Sequence, residues 1–493
     1  MLEIGLDVPR WLGAMAIERS PVGGILPRTA KVEGSADHLS NSIGRTNSPH
    51  QRGRGRPPTS GVAVVMGDDD PVLSPVDGVV TARRVEPGDL ASPGPGLDHA
   101  LDDAGDEPKV VATLGPGEFT GEVAQLTGGP AIFSGVARGE SGVFEISNDA
   151  LREIMNVHPD LGDVILRAFM ARRHLLHEMG DFTGLRVIGS RYSKHTLRVR
   201  EFLANNLVPF TWMDLEDDPQ VKQFLEQAGL TEADTPVVTW GHKLLLRNPS
   251  NEELADALAL RRPLEHGVYD LAVVGAGPAG LAAAVYAASE GLNTVVLEQD
   301  APGGQAGRSM RIENYLGFPT GITGRELAEN AVVQANKFGA HLPVASPVTG
   351  LSFDNKYAVL HLDNGETVSA KCLLIATGAA YRRLDVEGRE RFEGCGVYYA
   401  ATPVEAQLCK GSDVVVVGGG ISAGQASVFL SGQVRKVYLV VRGGDLYEHM
   451  SSYLAKRSEE IPNVEVLLNT EVRRMSGDHC LLEVEVVNNK TGE

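Results

Sequence analysis

Nowhere in the 493 residues do two cysteines stand close together: Cys372, Cys395, Cys409 and Cys480 are the whole complement. None of their spacings makes a zinc or dithiol motif, so no metal site is expected and a reducing, cytoplasmic setting fits. Long apolar runs are missing as well. No stretch reaches the ~18 residues a membrane span needs, and the opening "MLEIGLDVPRWLGAMAIERS" lacks the basic start and apolar centre of a secretion signal. Positive charge is in deficit, 45 Lys and Arg against 64 Asp and Glu for a net -19, which argues against nucleic acid or an anionic membrane as partner. Aromatics are scarce at 5%, whereas glycine is abundant at 57 residues. That balance suits α/β layers joined by tight strand-to-helix turns, and the length allows about three or four domains of ~100–200 residues.

Residues 1–75 hold Pro, Gly, Ser and Arg with little apolar periodicity and read as a disordered tail. Its "RGRGRPP" (Arg52 to Pro58) is a solvated basic segment rather than a minor-groove hook. Across 76–180, glycine-punctuated β-rich pieces in "VVATLGPGEFTGEVAQLTGGPAIFSGVARGESGVFEIS" predict a small β-roll. "NDALREIMNVHPDLGDVILRAFMARRHLLHEM" then has helical spacing, with Asn148 as its cap. These residues resemble the cyclic-nucleotide-binding domain family. That resemblance implies a phosphate held by backbone N–H groups, a ribose hydroxyl on a Glu, and an Arg against the phosphate. Gly121 and Glu122 match, but Ala131 stands where the family has its Arg. Losing a charge-assisted contact to an anion costs on the order of 1.5–3 kcal/mol, so cyclic-nucleotide binding is not expected. The stretch Ala82 to Glu107 opens with the family's "EPGD" but shows no alternating strands, so the roll is expected to be partial.

The block 184–264 reads strand, helix, strand, helix, strand, helix and resembles the thioredoxin or glutaredoxin fold. Thr235-Pro236 would be its cis-proline turn. Ser193, Lys194, His195 and Thr196 fill the place of the Cys-x-x-Cys pair. A hydroxyl cannot cycle between thiol and disulfide, so a docking or structural role is expected.

Two glycine loops follow. "YDLAVVGAGPAGLAAAVYAASEGLNTVVLEQD" carries Gly275, Gly277 and Gly280 as G-x-G-x-x-G between a strand and a small-residue helix that begins Pro278-Ala279; a second strand then ends in Glu298. The glycines let backbone and helix dipole approach a pyrophosphate, and the acid would accept hydrogen bonds from a ribose diol. "PGGQAGRSMRIENYLGFPTGITGREL" and "KCLLIATGAAYRRLDVEG" then resemble thioredoxin reductase and its flavoprotein relatives over about 268–490. The resemblance implies FAD in the first loop, with Gly303, Gly304, Gln305 and Asn314 bordering the flavin and Ala376-Thr377-Gly378 at the crossover. The second loop, "SDVVVVGGGISAGQASVFLSGQVRKVYLVVRGG", repeats the pattern with Gly418, Gly420, Ile421, Ser422 and Ala423. By resemblance it takes a nicotinamide cofactor. Its second strand ends without an acid and Arg442 follows, which suits the 2′-phosphate of NADPH over NADH; Gly443 and Gly444 come next, where the family offers more basic residues.

Thioredoxin reductases place Cys-Ala-Thr-Cys between these sites. In "GVYYAATPVEA" Ala400 and Pro403 occupy the two sulfur positions, so no catalytic residue is expected there. Cys395 and Cys409 are no substitutes by spacing and read as incidental thiols. The resemblance also implies a closing segment with a Gly-Asp pair and a helix over the flavin, which nothing after "EVEVVNNKTGE" supplies; the chain reads as incomplete, or completed by a partner.

The expected architecture is a multidomain α/β chain: tail 1–75, β-roll with helices 76–180, thioredoxin-like domain 184–264, FAD domain 268–385 and nicotinamide domain 386–493. The expected activity is an FAD-dependent NAD(P)H oxidoreductase that hands electrons to an external small-molecule or protein acceptor, in a chain whose relatives are commonly homodimers. An inactive nucleotide-binding sensor or scaffold stays open as the alternative.

Overall fold

In the computed structural model the described residues are 61–66, 80–85, 90–91, 99–102, 109–112, 119–121, 134–136, 141–179 and, but for short breaks at 207, 218, 241–243, 259, 265–266 and 380–382, 185–492. The basic "RGRGRPP" segment, Glu122 and Ala131 lie outside them.

Eight strands come first: β1 (Gly61–Met66), β2 (Val80–Val85), β3 (Leu90–Ala91), β4 (His99–Asp102), β5 (Lys109–Ala112), β6 (Phe119–Thr120), β7 (Ser134–Val136) and β8 (Ser141–Ser147). They form two four-stranded sheets, ordered β2-β8-β1-β6 and β3-β7-β4-β5. Two expectations need correction. The apolar run "GVAVVM" of β1 falls inside the stretch expected to be a tail, yet pairs antiparallel with β8 from Gly61↔Ser147 to Met66↔Gly142. Likewise β2, β3 and β4 fall where no strands were expected. β3 and β4 are two and four residues long, too short for a period of two to stand out.

Helix α1 (Asn148–Val157) is capped by Ser147, whose Oγ accepts from Ala150 N at 3.3 Å, so the cap sits one residue before the expected Asn148. Pro159 opens α2 (Pro159–Met179) and excludes helical backbone at His158, which stands at φ -119°, ψ 79°. One helical pattern in the sequence is therefore two helices.

The next unit runs β9 (Leu185–Gly189), α3 (Lys194–Asn205), β10 (Thr211–Asp214), α4 (Pro219–Gln227), β11 (Val237–Trp240), β12 (Leu244–Arg247) and α5 (Asn251–Ala257). The sheet order is β10-β9-β11-β12, with β9 and β10 parallel and the other pairs antiparallel. Thr235-Pro236 is cis, ahead of β11. Val187, Ile188, Val237 and Val238 are fully buried between the helix layers.

The third sheet is built by β13 (Val268–Val274), α6 (Pro278–Ser289), β14 (Thr294–Leu297), α7 (Gly304–Gly307), α8 (Gly324–Lys337) and a meander of β15 (Val348–Asp354), β16 (Tyr357–Leu362) and β17 (Thr367–Ile375). Its order is β14-β13-β17-β16-β15. β14 is buried at every residue, the sign of a strand covered on both faces. Helix α6 presents Ala284, Ala287 and Ala288 inward, and these small side chains let it lie close to the sheet.

Short helices α9 (Arg389–Phe392) and α10 (Pro403–Leu408) lead to the last unit: β18 (Asp413–Val417), α11 (Ile421–Ser431), β19 (Lys436–Val441), α12 (Ser452–Glu460), β20 (Val464–Leu468) and the hairpin β21 (Thr470–Ser476) and β22 (Glu483–Asn488). β18, β19 and β20 form a parallel sheet over a core of Leu430, Val437, Leu439 and Leu454. Among the described residues no helix is long and apolar enough to cross a membrane.

Candidate functional site: two glycine elbows

Where β13 ends, Gly275 turns at φ +101° and donates its N–H to Leu297 O at 2.8 Å. A Cβ there would stand 2.5 Å from Ala376 O, and Ala376 N in turn donates to Val274 O at 2.8 Å. Gly280 is tighter still: a Cβ would lie 1.9 Å from Gly275 O, so this glycine exists to bring helix and strand together. Gly277 differs from both. It is the N-cap of α6 with Pro278 at the first helical position, and a Cβ on it would meet nothing within 4 Å. The space this Cβ would enter is open, at the helix N-terminus where Ala279 and Gly280 leave backbone N–H groups without helical partners and Pro278 has no N–H to satisfy.

Glu298 follows β14, only 9% exposed. Its Oε2 accepts from Ala276 N at 2.7 Å and its Oε1 from Asp300 N at 3.0 Å. Burial pushes its carboxyl above the usual range, and these backbone donors work against that shift. Each oxygen keeps a lone pair for a further donor such as a hydroxyl.

The turn at Gly303 and Gly304, both at positive φ, presses against this elbow: Gly303 N donates to Ala276 O at 2.8 Å, and a Cβ on Gly304 would stand 3.1 Å from Gly277 Cα. Gln305 Nε2 donates to Ala379 O, one residue past Ala376-Thr377-Gly378. Three segments far apart in sequence thus converge on the first elbow. Asn314 is not tied to it by any hydrogen bond among the described residues; it sits exposed on the loop closed by the Ile312–Ile322 bridge.

The second elbow repeats the form. Gly418 turns at φ +136° and donates to Val440 O at 3.0 Å, with Ala423 packed beneath it, 3.5 Å from where its Cβ would be. Gly420 caps α11 and, like Gly277, faces open space; Ile421 and Ser422 in the first turn are exposed. Arg442 extends into solvent at the end of β19, its side chain 83% exposed and its Nε 3.7 Å from Glu471 Oε1. Lys490 was missed by the sequence reading. Its Nζ lies 3.6 Å from where a Gly444 Cβ would stand, so the hairpin supplies a second cation near the strand end.

The two units touch. Ser309 Oγ and Gln425 Oε1 of α11 are 3.0 Å apart, and Arg457 of α12 donates to Glu313 Oε2 at 2.6 Å. Between the two units in sequence, Pro403 is exposed as the first residue of α10, and Ala400 lies just before it. Thr402 caps this helix, taking Val404 N at 3.2 Å while its own N–H donates to Glu405 Oε2 at 2.7 Å. The helix terminus is well formed and carries no sulfur. Cys409, at the opposite end, is its C-cap.

The family model for pyridine nucleotide-disulphide oxidoreductases matches residues 269–493, and that for the cyclic nucleotide-binding domain matches 99–158. The thioredoxin reductase of Mycoplasma genitalium is 37% identical over 223 residues, covering 45% of this chain and 69% of its own. The chain belongs to the thioredoxin reductase family. The Treponema pallidum thioredoxin reductase is 36% identical, with 46% of this chain and 72% of its own length covered. A crystal structure of Lactococcus lactis thioredoxin reductase in the FR conformation aligns with 46% of this chain and 73% of its own, at 29% identity and a TM-score of 0.43. Thioredoxin reductases use FAD and NADPH, and the chain is an FAD-dependent NAD(P)H oxidoreductase of that type. The open faces of Gly277 and Gly420, each at a helix N-terminus, are what such dinucleotides require.

Proposed function

We propose that the first elbow holds FAD, the second holds NADPH, and electrons leave to an acceptor outside the chain, because the position between the elbows carries no thiol. The observation that carries this reading is the pair of helix N-termini whose N-cap glycines face open space, in units that touch through Ser309 and Gln425. Bound in this way, FAD supplies a carrier that takes hydride from NADPH and passes two electrons onward.

Every other role belongs to the chain's own residues. Gly277, Ala279 and Gly280 place N–H groups on the FAD pyrophosphate, with Gly275 making the turn and Pro278 opening the helix; Glu298 orients its ribose, and Gly303, Gly304, Gln305 and Asn314 border the flavin with Ala376-Thr377-Gly378. Gly420, Ile421, Ser422 and Ala423 do the same for NADPH at the turn made by Gly418, with Arg442 and Lys490 on its 2′-phosphate. The FAD domain spans 268–385 and the nicotinamide domain 386–493. The acceptor is a quinone, oxygen or a docked thioredoxin-like protein, and the enzyme works as a homodimer. The unit over 184–264 is a docking element rather than a carrier, since Ser193, Lys194, His195 and Thr196 offer no dithiol.

The full chain, purified, should show a flavin absorbance that NADPH bleaches without oxygen and that a quinone or air restores. A colourless preparation that fails to take up added FAD would sink the proposal and leave a scaffold. Arg442→Ala should raise the KM for NADPH about tenfold, the scale of one charge-assisted contact, and leave that for NADH unchanged.

A further inference from the structure

The reductase family's disulfide position is empty of sulfur, yet two of the four cysteines lie on segments that are bonded together elsewhere. Cys395 lies between α9 and α10, and Cys480 lies in the turn of the β21–β22 hairpin. The backbone on both sides of Cys480, at His479 and Leu481, is hydrogen-bonded to Cys395. The two segments are fixed to one another on several sides. Cys395 Sγ donates to His479 O at 3.0 Å, Leu481 N donates to Cys395 O at 3.1 Å, and Arg391 donates to Asp478 O. A Cβ on Gly396 would stand 2.4 Å from Leu481 Cβ, so only glycine lets the loop lie this close. The turn itself is tight: a Gly477 Cβ would meet Cys480 O at 1.9 Å. Disulfides form only between backbones that already lie close, and Cys395 is bonded to the residues on both sides of Cys480.

We propose that Cys395 and Cys480 are a redox pair, a dithiol in this structure, which small disulfides oxidise to an intramolecular bond clamping the hairpin turn to the 394–397 loop. Cys480 is the partly exposed thiol beside exposed Asp478 and His479, whereas Cys395 is buried. Burial, followed by its neighbour Cys480, pushes the Cys395 thiol up to about 12, which makes it the poorer first nucleophile. Cys480 therefore attacks the small disulfide as thiolate; its proton goes to water, the S–S bond of the reagent breaks, and one thiolate leaves. Cys395 then gives its proton to water and attacks the Cys480 sulfur, expelling the second thiolate. One S–S bond is made and one broken, and two electrons pass from the protein to the small disulfide, which ends as two thiols.

The clamp would act at a contact between units. Gly394, adjacent to Cys395, is packed against the N-terminus of α3, where a Cβ would stand 2.7 Å from Lys194 Cα. The oxidised bond thus fixes the surface on which the thioredoxin-like unit sits. This inference does not depend on FAD or NADPH being bound.

Oxidised glutathione, incubated with the full chain, is the probe; remaining thiols are trapped in acid, counted after denaturation, and mapped by peptide mass. Four free thiols should fall to two, with a peptide joining residue 395 to residue 480 and no glutathione retained. Cys409→Ser should form the same link, and Cys395→Ser should stop at glutathione on Cys480. All four thiols persisting across the glutathione redox range would overturn the proposal. So would a link to Cys409 or Cys372. The unsubstituted chain alone decides this, whether or not a variant folds.

Discussion

Gly277 and Gly280 lie within one turn of α6 and do opposite work. The missing side chain of Gly280 lets the helix touch the carbonyl of Gly275, while that of Gly277 keeps a face clear. Gly280→Ala must push backbone against backbone, and strain of this kind costs about 1–3 kcal/mol. Its melting temperature should fall with or without FAD. Gly277→Ala is free of this problem, because its φ of -71° suits any residue and its Cβ would enter open space. The protein without cofactor should melt within about 0.5 kcal/mol of the parent, the scale of a harmless substitution, while FAD affinity drops tenfold or more. Thermal melts and flavin fluorescence titrations separate the two outcomes.

Where α3 meets α10, the elements bury charge against charge. Arg200 is 3% exposed, stacks 3.5 Å over the Trp212 ring, and reaches Gln407 of α10 at 3.4 Å. Burial lowers its pKa to about 10, with Asp214 and Glu405 opposing the shift. Its neighbour Glu201 is pushed up to about 7, first by burial and then by Glu405. The folded state holds that proton to about pH 7, whereas the unfolded chain releases it near 4.5. Stability present below pH 4.5 is therefore lost as pH rises through 7. Glu201→Gln should remove that slope, gaining roughly 2–3 kcal/mol on the parent between the two ends of the window. His341 runs the other way. Burial, then Arg262 and Arg152, lower it to about 4, so its contribution is present above 6.5 and fades as pH falls to 4. Both groups act in nearly the same window, so the difference between variant and parent melts at each pH isolates Glu201. Equal pH slopes for the two proteins would refute the assignment.

At the scale of the whole molecule, a distinct apolar cluster underlies each of the thioredoxin-like unit and the two nucleotide units, with Ala345 of the first nucleotide unit joining the thioredoxin-like one. Chains of this kind do not unfold as a single step. Calorimetry should therefore resolve more than one transition. FAD at about a hundred times its Kd should stabilise the unit it binds by about 2.7 kcal/mol, shifting one transition and leaving the others in place. A uniform shift of the entire profile would show that the units unfold as one.

Much of this arrangement was legible along the chain because it is written locally. Strand, glycine turn, small-residue helix and a second strand ending at Glu298 are consecutive, so the first elbow could be placed residue by residue. The same held for the second elbow, for Thr235-Pro236, and for the absence of sulfur at Ala400 and Pro403. The short strands of the roll were not legible, since two to four residues carry no measurable period. Nor was the break at His158, where one proline outweighs a helical pattern that runs past it.

By itself, the sequence determined the glycine elbows, the acid on the first and the arginine on the second, because backbone sterics and helix polarity act between neighbours. Only the tertiary structure decided that Lys490 stands beside Gly444, that Glu405 acts on Glu201, and that Cys395 packs against the residues flanking Cys480. Those contacts join residues from different elements, and the packing of the sheets and helices sets their distances.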